Sequence, residues 1–306
     1  MLNYDESKNS KSMEINNRPE TLGLVIPTYG RTSELNQLLE SIWNQPNIPE
    51  KIVVIDQNKY GFLDQVIVRW SNKLLIEHHR VTFKSAYKAR NLGAKLLQTD
   101  IIAFPDDDCI FVNDTVGKIK DAFHINPLAD IIIGQKRRSP SSRHGGDNKA
   151  HVKTIKNILD VFNSKAETSN IFCKRCSLSE ISMIFDETIG PGDHTIISNE
   201  ETDFLIRMFR ANAILITYPG ILIDHHSSQV SYLRSLKYGE GRFELIRRQQ
   251  LGIFYYLLNL LQPLFRLARK PSLQGLIYCI ATMIGRSGIT RVIPPIMTDH
   301  QKSRQK

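Results

Sequence analysis

The chain has 306 residues, 41% hydrophobic and 8% aromatic, with 40 Lys+Arg against 31 Asp+Glu, a net charge of +9 and a pI near 9.3. That apolar content excludes a wholly disordered chain. Four cysteines exclude a disulfide scaffold, and the length sets one large domain or two small ones.

Residues 1–20 are polar and hold no apolar run, so a mobile tail is expected and no signal peptide. Four short apolar runs follow: LGLVI at 22–26, IVVI at 52–55, IIAF at 101–104 and DIII at 130–133. Continuous apolar runs of this length suit strands buried on both faces, which predicts a parallel sheet with helices on both sides. Leu35, Leu38, Leu39 and Ile42 share one helical face after the first run, with Ser33 as the expected N-cap. Ala89, Leu92, Gly93, Leu96 and Leu97 predict a second helix over 86–97. The alternation gives an α/β fold. Residues 135–170 are rich in Ser, Gly, Arg and Lys and read as a long loop. Glu200, Glu201 and Asp203 open a further helix, and the run Ile221–Ile223 leads to Asp224, His225 and His226.

In open α/β sheets, ligands bind beyond the carboxyl ends of the strands. Each apolar run ends there in polar groups: Pro27-Thr28-Tyr29-Gly30-Arg31, Asp56-Gln57-Asn58 and Pro105-Asp106-Asp107-Asp108. Three adjacent carboxylates repel one another unless a cation holds them. In an extended chain Asp106 and Asp108 point to the same side and can chelate Mg²⁺ or Mn²⁺, an ion able to neutralise a diphosphate leaving group. The second acidic group offers a general base, or simply complements the helix dipole. Gly190-Pro191-Gly192 lets a loop approach a ligand closely. A His beyond a strand end can complete a metal site. Cys173 and Cys176 have CxxC spacing but lack the second pair that structural zinc needs; Cys109 and Cys279 read as small buried hydrophobes.

Taken together, LVIPTYGR at 24–31, VIDQN at 54–58, ARNLGA at 89–94, DIIAFPDDD at 100–108, FDE at 185–187 with GPG at 190–192, and NEETDF at 199–204 resemble the family 2 glycosyltransferases in motif and in order, over about residues 22–228. The resemblance implies a GT-A fold (Rossmann-like, binding nucleoside-diphosphate sugars) over 21–228 and an inverting hexosyltransferase-type activity of the bacterial polysaccharide kind. It implies that Thr28, Tyr29 and Asp56 hold the base and ribose and that Lys84 and Arg90 lie near the diphosphate, with Pro27, Arg31, Asp106 and Asp107 completing the nucleotide-sugar site. Asp106 and Asp108 would form the DxD motif around Mn²⁺ or Mg²⁺, with His225 as a further metal ligand. Glu201 stands where many members carry an Asp base; the longer side chain leaves Glu200 and Asp203 as competitors, with Glu201 preferred. The implied partners are a nucleoside-diphosphate sugar and a glycan or lipid-linked acceptor.

From residue 229 onward thirteen basic residues face three acidic ones, a surplus of ten, which leaves the first 228 residues at −1. A near-neutral body argues against nucleic-acid binding, in which basic residues spread over a binding face. In the basic region 229–306, two apolar stretches, 251–265 and 273–285, are shorter than the ~20 residues that span a bilayer. Asn259, Gln262 and Pro263 also argue against a span. With basic borders the stretches suit a membrane interface, which predicts a helical extension touching the membrane through 245–293, on the cytoplasmic side. A helical pair packed on the catalytic domain is the other reading. A haloacid-type phosphatase would need its aspartates on the first strand, and a sugar nucleotidyltransferase a Gly-rich loop there; neither is present.

Overall fold

The computed structural model describes residues 18–137, 151–188, 198–225 and 231–292, with residues 291 and 292 in backbone only. The first half runs β1 Leu22–Thr28, α1 Thr32–Trp43, β2 Lys51–Asp56, α2 Asp64–Ser71, β3 Ile76–Arg80, α3 Ala86–Leu96, β4 Ile101–Ala103, β5 Cys109–Phe111 and α4 Thr115–Ile125. The second half runs β6 Ile131–Arg137, β7 Lys153–Thr154, α5 Ile158–Asn163, β8 Ile171–Lys174, α6 Glu200–Arg210, β9 Leu215–His225, α7 Tyr232–Arg248, α8 Ile253–Arg269 and α9 Leu273–Ser287.

β1 is buried along its whole length, and its side chains divide between two cores. Leu22, Leu24 and Ile26 pack with Leu35, Leu38, Leu39 and Ile42 of α1. Val25 faces the other way, with Ala89 and Ala94 of α3 and Phe204 and Leu205 of α6. The predicted strands and helices therefore form, with helices on both faces of one sheet. Two local expectations change. The α1 N-cap is Arg31 and not Ser33, and its side chain makes no capping bond. Residues 135–170 are not one loop: β6 runs to Arg137, and β7 and α5 occupy part of 151–170.

The sheet order is β3-β2-β1-β4-β8-β6-β9-β5, with β7 also on β9. It is mixed, not all parallel. β1, β2, β3 and β4 run parallel, but β8 enters antiparallel between β4 and β6, and β5 lies antiparallel on β9. The parallel group places the carboxyl ends of β1, β2 and β4 on one edge. β3, at one end of the sheet, is polar and only partly buried.

α7 closes the body. Arg210 donates to the Gln249 backbone carbonyl at 2.7 Å and to its Oε1 at 2.8 Å, and Gln249 Nε2 donates to Asp203 at 2.6 Å. α9 crosses α7 where Gly239 meets Gly285. A Cβ on Gly285 would lie 2.2 Å from the Leu236 carbonyl oxygen, and one on Gly239 2.6 Å from that of Thr282. No helix among the described residues is long and apolar enough to cross a membrane.

Candidate active site

At the shared strand edge, Asp56 ends β2 fully buried. Its carboxylate accepts from the Asn58 backbone N–H (2.9 Å) and Nδ2 (2.8 Å) and lies 3.0 Å from His78 Nε2. His78 and Arg80 come from β3, whose polar sequence gives no apolar signal, so sequence reasoning misses them. Pro27 and Thr28 are buried within β1. Tyr29 is half exposed beyond it, with Lys84 Nζ 4.6 Å from its ring centroid.

The three aspartates after β4 divide their partners. Arg31 donates to Asp107 at 2.8 Å and pairs with Asp108 at 2.9 Å. Arg90 donates to Asp106. His225 Nε2 lies 3.2 Å from Asp106 and 3.1 Å from Asp108. Register explains that meeting: β5 pairs with β9 so that Cys109 faces His225. Burial alone would raise the Asp106 pKa, but Arg90 and His225 outweigh it and bring it to about 2. Burial likewise opposes charge on His225, yet the two aspartates lift it to about 9. Arg90 is held above the ordinary guanidinium value because Asp106, Tyr87 and Glu200 outweigh its burial.

Ligating atoms of Asp106, Asp108, Cys109 and His225 all lie within 4.8 Å of one another. Burial and both aspartates push the Cys109 thiol well up, so it stays protonated and is a poor partner for a hard cation. Two carboxylates and the His225 imidazole remain, a donor set that fits a divalent metal such as Mg²⁺ or Mn²⁺ provided that the cation displaces the proton the two aspartates favour on His225. His226 and the 190–192 segment lie outside the described residues.

Arg90 also connects this cluster to the second acidic group. Its guanidinium sits over Tyr87 at 5.2 Å and over Phe185 at 5.9 Å. Burial, then the neighbouring Glu200, push the Tyr87 phenol well up. Glu200 is buried, with Oε2 free of any hydrogen-bond partner among the described residues. Burial and then the Glu200 charge raise Glu201 well above the ordinary carboxyl value. Asp203 differs: Arg207 Nε donates to one oxygen at 2.8 Å and Gln249 to the other. One oxygen is tied within α6 and the other to Gln249 at the end of α7, so Asp203 carries hydrogen bonds that Glu200 Oε2 lacks among the described residues.

A mixed sheet with an acidic turn at its carboxyl edge and helices on both faces is the GT-A architecture of nucleotide-sugar transferases. The profile of Glycosyl transferase family 2 matches residues 24–183, just over half of the chain, and the protein belongs to that family. The O-antigen chain rhamnosyltransferase RfbN of Salmonella typhimurium is 26% identical over 212 residues, 67% of this chain and 65% of the relative. An uncharacterized glycosyltransferase of Haemophilus influenzae is 28% identical over 112 residues, 36% of this chain and 37% of its own. The chain thus matches less than two thirds of either relative's length. Among solved structures, residues 1–349 of S. aureus TarS superpose with a TM-score of 0.59 at 13% identity, over 90% of this chain and 93% of that one. The mannosyltransferase PcManGT of Pyrobaculum calidifontis, in complex with GDP-Man and Mn²⁺, gives 0.61 at 13% identity, over 89% and 88%.

Proposed function

We propose that the protein transfers a sugar from a nucleoside-diphosphate sugar to an acceptor hydroxyl with inversion, in the assembly of a surface polysaccharide. The carrying observation is the cluster of Asp106, Asp108 and His225, with Arg90 bonded to Asp106 and within the electrostatic reach of Glu200. It supports a counter-ion site for a diphosphate with a carboxyl base nearby. Relatives support the substrate class: RfbN is an O-antigen chain rhamnosyltransferase, TarS has been seen with UDP-GlcNAc and PcManGT with GDP-Man.

In this reading Tyr29 and Lys84 receive the base and diphosphate at the open edge, and Asp56, fixed by Asn58 and His78, receives the ribose. Asp106, Asp108 and His225 hold a divalent metal, which when bound neutralises the charge developing on the departing diphosphate. Glu201 takes the proton of the acceptor hydroxyl. The hydroxyl oxygen bonds to the anomeric carbon as that carbon's bond to the diphosphate breaks, and a single displacement inverts configuration. A hydrolase would instead need two carboxylates flanking the scissile bond. The α8–α9 pair carries an exposed apolar face, with Ile253 71% and Leu273 78% exposed, bordered by Arg247, Arg269 and Lys270. This supports peripheral attachment to an anionic membrane, where a lipid-linked glycan acceptor resides.

Titration calorimetry of UDP, GDP and dTDP with Mn²⁺ tests the site. One of the three is expected to bind, and Asp108→Asn to abolish that binding; unchanged affinity in the variant overturns the assignment.

A further inference from the structure

Not all of the basic surplus in the C-terminal region faces outward. On α8, Asn259, Gln262, Pro263 and Arg266 fall at i, i+3, i+4 and i+7, one helical face. Asn259, Gln262 and Arg266 interrupt the apolar stretch, and Asn259 and Gln262 meet Arg286 of α9. Arg286 is only 7% exposed; its Nη1 donates to the Asn259 carbonyl at 2.7 Å and to Gln262 Oε1 at 2.9 Å. The Gly239–Gly285 crossing brings Arg242 of α7 beside it. Arg242 rests over the Phe162 ring at 4.7 Å. α7 meets the start of α6 one residue earlier, where a Cβ on Gly241 would lie 2.3 Å from Ser198 Oγ. Arg242 therefore reaches the field of Glu201.

Two features of this cluster are unexplained by the protein itself. None of Arg242, Arg266 and Arg286 forms an ion pair among the described residues. Two buried donors, Arg286 Nε and Asn259 Nδ2, have no acceptor among the described residues. Arg286 is buried and Arg242 partly so, with Arg266 exposed beside them, and burying guanidinium charge without a counter-ion is costly. Burial, then Arg242 and Arg266, lower Arg286 to about 9; burial and Arg266 lower Arg242 to about 10 despite Glu201. What is missing is an anion with several acceptor oxygens, for which guanidinium forks are suited.

We infer that Arg242, Arg266 and Arg286, with Asn259, form a phosphate-binding site beside Glu201 that takes the phosphate ester through which the acceptor is joined to its carrier. This rests on the proposed transfer reaction and adds the chemical class of the acceptor. The anion stands on the acceptor side of Glu201, reached from the helices whose outer faces are apolar, and is separate from the donor diphosphate at Asp106 and Asp108. A carrier lipid lying along α8 and α9 would deliver its headgroup there.

Geranyl diphosphate, titrated into full-length protein with a metal chelator present, is the probe. Arg266→Gln, on the exposed side of the cluster and so safe for folding, and the double variant Arg242→Gln/Arg286→Gln are each expected to lose about tenfold or more in affinity, the size of a lost charged hydrogen bond. Both are expected to keep nucleoside-diphosphate binding with Mn²⁺ and flotation with phosphatidylglycerol vesicles. Equal geranyl diphosphate affinity in wild type and Arg266→Gln overturns the site. Retained probe binding with lost flotation overturns it in favour of a bilayer headgroup site. Failure of wild type to bind any nucleoside diphosphate with Mn²⁺ instead removes the transfer reading.

Discussion

Within the two acidic groups, neighbouring carboxylates have been given different work. Asp106 is kept ionised by Arg90 and His225, whereas burial raises Asp107 despite its bond to Arg31. Glu201 is raised well above its ordinary value while Asp203 is locked to Arg207 and Gln249. A carboxyl group of raised pKa is a stronger base once ionised, and suits proton removal near neutral pH. Glu201→Gln is expected to leave nucleotide binding intact and to lower transfer by about 10²–10⁴-fold in a product assay; undiminished turnover would move the base to Glu200. A second signature follows from linkage. Folded Glu201 holds its proton above the pH at which the unfolded chain releases it, so its contribution to stability is complete below the ordinary carboxyl pKa and is lost as pH rises through the folded value. Urea melts across pH 4 to 8 should show that decline in wild type and a flatter course in Glu201→Gln.

At the scale of elements, function depends on where chains cross. The β5–β9 register brings His225 to the aspartates, and the Gly239–Gly285 contact brings Arg242 to Arg286. Gly285→Ala puts a methyl group against the rigid Leu236 carbonyl, so a loss of about 1–3 kcal/mol is expected, read as a lower thermal midpoint; an unchanged midpoint would mean that the helices separate freely. These crossings also mark the limit of what is legible in the sequence. β1, β2, β4 and β6 announce themselves because strands buried on both faces read as unbroken apolar runs. α1 and α3 show helical spacing, and the acidic turn and the Glu200–Glu201 pair stand out by charge. β3 is hidden by IEHHR, β5 by its three residues, and β8 by a CKRC segment that reads as metal spacing. Strand direction is set by long-range pairing, so the antiparallel entry of β8 leaves no local trace. The partners of Asp56 on β3 are hidden for the same reason.

Over the whole molecule, the basic surplus resolves into two populations. Arg242 and Arg286 turn inward, Arg266 stands at the exposed side of their cluster, and Arg247, Arg269 and Lys270 remain exposed around Phe254, Phe265, Ile253 and Leu273. The outward group suits an anionic surface, and its pull is screened by salt. Phe254→Glu with Phe265→Glu is expected to reduce flotation with phosphatidylglycerol vesicles severalfold and to spare nucleotide binding; full flotation in the double variant would remove the membrane reading. The proposed attachment to a surface would have a consequence for the sheet, whose ends are β3 and β5. Copies gathered on a plane meet far more often than in bulk, and an open strand edge would then template its neighbour. β3 presents Glu77, His78, His79 and Arg80 at one end, and β5 offers only three residues at the other. Crowding can therefore rise without the sheets joining end to end into aggregates.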